Sequence, residues 1–199
     1  VGLIAGGDAA LRKSSESRED DPHGAVAELL RLHLEPRDTV IGIAAGGTTA
    51  YVLGALEYAR SRDTTTAIIS CSPVEIDVDH TIFLDTGPEI LTGSTRMKAG
   101  TATKLVLNTI STTVMVQTGR VYQNLMVDVK ATNDKLRDRA ARIVSALTGL
   151  DRSNAFTLLS RANGEVKTAV VMHRLSIDRE SAEQRLADAS GRLDAVLED

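Results

Sequence analysis

The chain has 199 residues, of which 42% are hydrophobic and 25% charged, and its formal net charge is −4. This is the balance of a globular chain with enough apolar material for one compact domain and a small appendage. It offers no broad basic surface for a phosphodiester backbone and no apolar run near the ~20 residues of a membrane helix, so neither nucleic acid nor membrane is an expected partner.

Four short β-branched runs, residues 1–4, 39–44, 66–70 and 81–84, each lead into a loop rich in Gly, Ser, Asp or Pro, as buried parallel strands do. Helical spacing lies between them: Val26, Leu29 and Leu30 in 24–32, then Val52, Leu53, Leu56 and Ala59 in 51–60. Strand alternating with helix predicts right-handed crossovers and a parallel sheet with helices on both faces. Aromatics are 3% and Trp is absent, so the core is expected to be Val, Ile, Leu and Ala. Cys71 is the single cysteine, which rules out an intramolecular disulfide and makes the cytoplasm the expected compartment. Its setting, IISCS, reads as a strand end and favours a small buried residue over a nucleophile.

After Leu84 the chain turns polar and Gly-rich, and 98–117 then reads as one long helix with Gly119 placed for its C-cap. Its several Thr residues lower helix propensity, so burial is expected to hold it. Residues 133–148 form another helix. From 149 onward no strand signal remains, and 153–162, 165–174, 178–189 and 191–198 read as short helices, with Ser153 and Asp178 as N-caps. The expected partition is an α/β domain over 1–148 and a small all-helical domain over 149–199.

Three stretches could carry chemistry. Residues 87–102 pack hydroxyls and cations, including Ser94, Thr95 and Arg96, ahead of the long helix, where free N–H groups and the helix dipole favour an anion. The alternative is purely local: Ser94, Thr95 and Thr101 cap the helix and Arg96 pairs with Glu89. The second stretch, Ala44-Ala45-Gly46-Gly47-Thr48-Thr49, sits between a strand and a helix, a geometry that presents backbone N–H groups to a phosphate. A tight strand-to-helix turn needs glycines in any case. The third is the acidic run Glu16-Ser17-Arg18-Glu19-Asp20-Asp21, either a solvated helix end or the source of a carboxylate base able to take a proton α to a carbonyl. His23, His33, His80 and His173 show no metal-ligand spacing, and no metal site is expected.

The segments GPEILTGSTRMKAGTATKLVLN (87–108) and GRVYQNLMVDVKATNDKLRDRAARIV (119–144) resemble the N-acetylmuramic acid 6-phosphate etherases and, more remotely, the glucokinase regulatory proteins. VGLIAGGDAAL, SESREDD and IGIAAGGTTAYVLGALEYAR extend the resemblance upstream over essentially the whole chain. It implies an SIS fold, a doubly wound parallel sheet, followed by a small helical C-terminal domain. It implies a lyase that removes D-lactate from N-acetylmuramic acid 6-phosphate in cell-wall recycling, leaving N-acetylglucosamine 6-phosphate. A homodimer with active sites near the subunit interface is implied, and no metal or organic cofactor. Carried onto this chain, the family pattern makes Glu19 catalytic, with Glu16 filling the other acidic place. Phosphate binding falls on Ala45, Gly46, Gly47, Thr48, Ser94, Thr95 and Arg96.

This sequence departs from the pattern in three places. The family's other catalytic glutamate and its first phosphate loop, of the form GTSGR, correspond to positions upstream of Val1. The usual ASGRT-Pro loop reads Ala45-Gly46-Gly47-Thr48-Thr49-Ala50, losing a hydroxyl and a guanidinium, and SPVEIDVDH (72–80) is also unusual. The expectation is therefore an incomplete chain, its sheet missing the first strand, without full activity alone. Two other readings are weighed against the lyase: a non-catalytic sugar-phosphate sensor and a sugar-phosphate isomerase, the latter with no residue that specifies it.

Overall fold

The computed structural model describes residues 1–13 and 15–198. They form two compact units, Val1–Leu107 and Asn108–Asp199. Both are mixtures of helix and strand, and among the described residues no helix is long and apolar enough to cross a membrane.

The first unit is built on a parallel sheet of order β1-β2-β3, with β1 Thr39–Ile43, β2 Thr65–Ser70 and β3 His80–Phe83. The register pairs Thr39 with Thr65 and Ala67 with His80. The central β2 is buried from Thr66 to Ser70, as its unbroken β-branched and small residues require of a strand covered on both faces. Helix α1, Val26–Arg31, precedes the sheet, and α2, Ala50–Arg60, connects β1 to β2. Gly42 lets α2 lie close on β1. A Cβ there would stand 2.7 Å from Val52 Cγ1 and 2.8 Å from Leu56 Cδ1. The connection from β2 to β3 is a loop rather than a helix. Asp79 pins it, accepting from both the N–H (2.7 Å) and the hydroxyl (2.9 Å) of Thr66, and these bonds hold its carboxyl below the ordinary carboxylate range.

Residues 1–4, expected as a strand, join no ladder. Leu3, with the following Ala5, packs instead on a cluster of Ala25, Leu29 and Tyr51, while Val1 and Ile4 are exposed.

Helix α3, Lys98–Gln117, begins in this unit and matches the expected span. Burial does not hold it, contrary to expectation, since Ala99 alone among its residues is buried. Its start is held by a side-chain cap described below. Its end closes on Gly119, at φ +69°, where the Arg120 N–H donates to the Met115 carbonyl at 2.9 Å.

The second unit carries a small antiparallel hairpin, β4 Val121–Tyr122 and β5 Leu125–Met126, with no counterpart in the sequence reading. Helices α4 Asp134–Thr148, α5 Arg152–Arg161, α6 Val166–Leu175, α7 Arg179–Asp188 and α8 Leu193–Leu197 follow. They share one core with Val127 and Val129. In that core α6 is the buried member, with Val166, Ala169, Val170 and Val171 all at 1% exposure or less. Each of three helix starts is capped by an acidic or amide side chain: Asn133 accepts from Leu136 N–H, Asp151 from Asn154 N–H and Asp178 from Ser181 N–H. Asp178 is the expected cap. The cap of α5 is Asp151, two residues ahead of the expected Ser153, because a carboxylate at that position reaches the N3 amide and Ser153 is already inside the helix.

Candidate active site

The carboxyl ends of the three parallel strands are laced together. Ala44 N–H donates to Ile69 O (3.1 Å), Cys71 N–H to Ala45 O (2.8 Å) and Leu84 N–H to Ser70 O (2.8 Å). Ligands of open α/β sheets bind beyond this edge. The turn 45–49 leaves β1 here and opens directly into α2, with Thr49 as the N-cap residue. Gly47 sits at φ +75°, and its N–H closes the turn onto Ala44 O at 3.0 Å. Gly46 and Thr48 are exposed, Ala45 is half-buried and Gly47 buried.

Gly47 is buried because the 72–79 loop lies over it. A Cβ at Gly47 would fall 1.9 Å from Val74 Cγ1. Beside this contact lies a cavity of about 540 Å³ lined by Gly47, Thr48, Glu57, Arg60, Val74 and Glu75, among others. Arg60 pairs with Asp77 across its rim and donates to the Asp77 carbonyl at 3.0 Å. A second groove, about 420 Å³, runs along β1 past Leu29, Ile41, Ile43 and Val52; its lining is mainly apolar and lacks a catalytic constellation.

Glu19 meets the helix that follows the glycine turn through its backbone. The Tyr51 N–H, in the first turn of α2, donates to the Glu19 carbonyl at 3.0 Å. The carboxylate of Glu19 is exposed. The segment that follows lies against the same helix, where Pro22 O occupies the space a Cβ on Gly54 would need. The Tyr51 ring is buried against Gly24, and that burial, with Glu28 nearby, raises its phenol pKa. The side chain of Glu16 lies outside the described residues.

Ser94, Thr95 and Arg96 stand ahead of α3. Ser94 N–H donates to Leu91 O (3.0 Å), Thr95 O accepts from Gly100 N–H (2.9 Å), and Arg96 is exposed. The amides at the start of α3 already have an anion. Glu89 accepts from Lys98 N–H (3.2 Å) and Ala99 N–H (3.1 Å), while Lys98 Nζ reaches Pro88 O at 2.9 Å. Glu89 is thus the helix cap, not the partner of Arg96. Among the described residues no hydrogen bond or ion pair links Ser94, Thr95 or Arg96 to the 45–49 turn or to Glu19. The Glu19 carbonyl thus meets the first turn of the helix that the glycine turn opens, and no such bond joins residues 94–96 to either among the described residues. Among the described residues no group of His, Cys, Asp and Glu has metal-site geometry.

Tyr51, Gly54 and Val74 were not singled out from the sequence. An isolated glycine inside the helical run 51–60 was the available signal for Gly54, since glycine in a helix interior marks close approach of another group.

Comparison with known proteins decides the family. The family model described as the glucokinase regulatory protein N-terminal SIS domain matches residues 1–60, and that of the C-terminal lid domain of glucokinase regulatory protein matches residues 123–174. An N-acetylmuramic acid 6-phosphate etherase from Serratia proteamaculans is 52% identical over 200 residues, covering 99% of this chain and 67% of the relative. The chain belongs to the N-acetylmuramic acid 6-phosphate etherase family. An etherase from an Exiguobacterium species is likewise 52% identical, over 96% of this chain and 66% of its own length, and one from Salmonella schwarzengrund is 50% identical over the full chain. The chain thus spans about two thirds of the length of the etherases it matches. The SIS match ends where α2 ends, so it takes in Glu19, the glycine turn and the helix that joins them.

Proposed function

We propose that this etherase-family chain acts as a lyase on N-acetylmuramic acid 6-phosphate, with Glu19 as the proton-abstracting base. The observation that carries this reading is the bond from Tyr51 N–H to Glu19 O, which sets a carboxylate-bearing segment on the helix that opens at the glycine turn. The open-chain sugar is an aldehyde, so the proton on C2 is acidic enough for a carboxylate base. Glu19 takes that proton, the electron pair expels the lactyl oxygen from C3, and that oxygen leaves protonated by a general acid or water, giving D-lactate and an unsaturated aldehyde. Water then adds at C3 and a proton returns to C2, leaving N-acetylglucosamine 6-phosphate and D-lactate. The backbone N–H groups of Ala45, Gly46 and Thr48 face the 6-phosphate, with Ser94, Thr95 and Arg96 as further phosphate contacts. Binding energy at the phosphate then orients C2 and C3.

The same reading makes the protein a cytoplasmic homodimer in peptidoglycan amino-sugar recycling. The lone Cys71 and the exposed apolar side chains Ile90, Leu91 and Met97 support it. A sensor built on this fold is disfavoured, because the relatives 50–52% identical over nearly the whole chain carry the etherase name, while the regulatory-protein models match only residues 1–60 and 123–174.

The test is lactate release from N-acetylmuramic acid 6-phosphate by this chain and by a chimera joining the N-terminal third of the Serratia etherase ahead of Val1. Release that falls about 10²–10⁴-fold in Glu19→Gln supports the base. A folded protein that binds the sugar phosphate in both forms and releases no lactate in either contradicts the lyase.

A further inference from the structure

Three contacts hold the segment 19–24 on one face of α2, and none uses the Glu19 side chain. The Tyr51 N–H holds the Glu19 carbonyl at 3.0 Å. At the next turn, Gly54 leaves room for the main chain of Pro22. A Cβ on residue 54 would stand 1.8 Å from Pro22 O, 2.6 Å from its carbonyl carbon and 3.0 Å from its Cα, where real Cβ contacts do not fall below 3.0 Å. Gly24 in turn seats the Tyr51 ring, with its own absent Cβ 2.8 Å from Cδ2 and 3.1 Å from Cε2. Tyr51 and Gly54 are three residues apart, and so share a face of the helix.

Alanine is the better helix former, and Gly54 lies well inside α2. The close approach of Pro22 is what a glycine makes room for there. The clash is with backbone, which no rotamer change can relieve, so a methyl group would displace either the helix or the segment.

We propose that Gly54 is a positioning residue for Glu19: by letting Pro22 rest on α2 it fixes the main chain of the acidic segment, with Tyr51 N–H and Gly24 as the other two points of attachment. This deepens the function proposed above and rests on Glu19 acting as the base. A displacement on the order of 1 Å in a catalytic group costs about 10²-fold in rate. Substrate phosphate meets the turn before α2 and not the segment 19–24, so binding changes far less than turnover.

The test compares Gly54→Ala, and Gly24→Ala as the milder variant, with the parent protein, as this chain and as the Serratia chimera. Hydrogen exchange at the Tyr51 amide is read in the chain itself, with the Ile68 and Ile69 amides of β2 as the check that the sheet is intact. The expected result in Gly54→Ala is Tyr51 exchange at least about tenfold faster with β2 unchanged, and, in whichever form releases lactate, kcat lower by about 10²-fold with KM within about threefold. If Gly54→Ala does not fold, the same split in Gly24→Ala carries the decision. A Tyr51 amide as protected as in the parent overturns the proposal, as does parental kcat in the variant. Glu19→Gln separates the two layers: its parental turnover would remove the base assignment whatever Gly54 does. Loss of turnover in Glu19→Gln alongside an unaffected Gly54→Ala would remove only the positioning role. Where neither form turns over, Tyr51 exchange alone decides.

Discussion

The Tyr51 amide and the Glu19 carbonyl, 3.0 Å apart, connect the acidic run near the start of the chain to the helix that follows β1. An amide in the first turn of a helix has no intrahelical acceptor and takes one from outside. Here that acceptor is the main chain of the residue proposed as the base. The bond is indifferent to the side chain at 19, so Glu19 can be changed without removing what positions it.

Gly47 is predicted to tolerate no side chain. Gly47→Ala combines a left-handed backbone with a methyl group driven into Val74, and should lower stability by about 1–3 kcal/mol in urea unfolding. Val74→Ala in the same chain should restore the steric share of that loss, and strict additivity of the two changes would contradict the contact.

Glu89 is predicted to matter as a cap. Removing its carboxylate in Glu89→Ala leaves the Lys98 and Ala99 amides without their acceptor and should cost about 0.5–2 kcal/mol, with helix content falling at the start of α3. An unchanged unfolding midpoint would show that solvent caps α3 equally well.

The capping aspartates set the acid limit. Asp178 and Asp151 accept backbone N–H bonds from Ser181 and Asn154, which lower their pKa from the ordinary value of 3.8. The folded state therefore binds fewer protons than the unfolded chain in that range, and stability rises with pH. Their contribution is present above about pH 4 and is lost as pH falls through the lowered values. Asp178→Asn, which caps without titrating there, should flatten the fall in urea midpoint below about pH 4. An identical fall in both proteins would place the acid sensitivity elsewhere.

Much of this fold was legible in the residues because burial writes itself into side-chain choice. β1, β2 and β3 appear within a residue or so of the β-branched runs at 39–44, 66–70 and 81–84, and α3 spans the expected 98–117. Residues 1–4 misled because a short apolar run reads as a strand by residue type, yet Leu3 packs on the helix cluster while the β-branched Val1 and Ile4 stay exposed. The hairpin at 121–126 escaped because two-residue strands have no period to detect. At the site, Gly47 could be marked as a turn glycine, but the use of Glu89 as a cap nine and ten residues away is a tertiary fact. The link from Glu19 to Tyr51 is made by backbone atoms alone, which every residue possesses, so no residue type could announce it.

The proposed lyase removes and replaces the proton on C2. The most direct test is turnover of N-acetylmuramic acid 6-phosphate in heavy water, by whichever of the chain and its Serratia chimera releases lactate, followed by proton NMR of the N-acetylglucosamine 6-phosphate formed. Elimination and water addition predict deuterium at C2 of the product in the parent protein, with formation of that product strongly suppressed in Glu19→Gln. Product that keeps its original C2 proton throughout, with C2-deuterated substrate releasing lactate as fast as the protiated one, would mean that the C2–H bond stays intact, and the role given to Glu19 would fall with it.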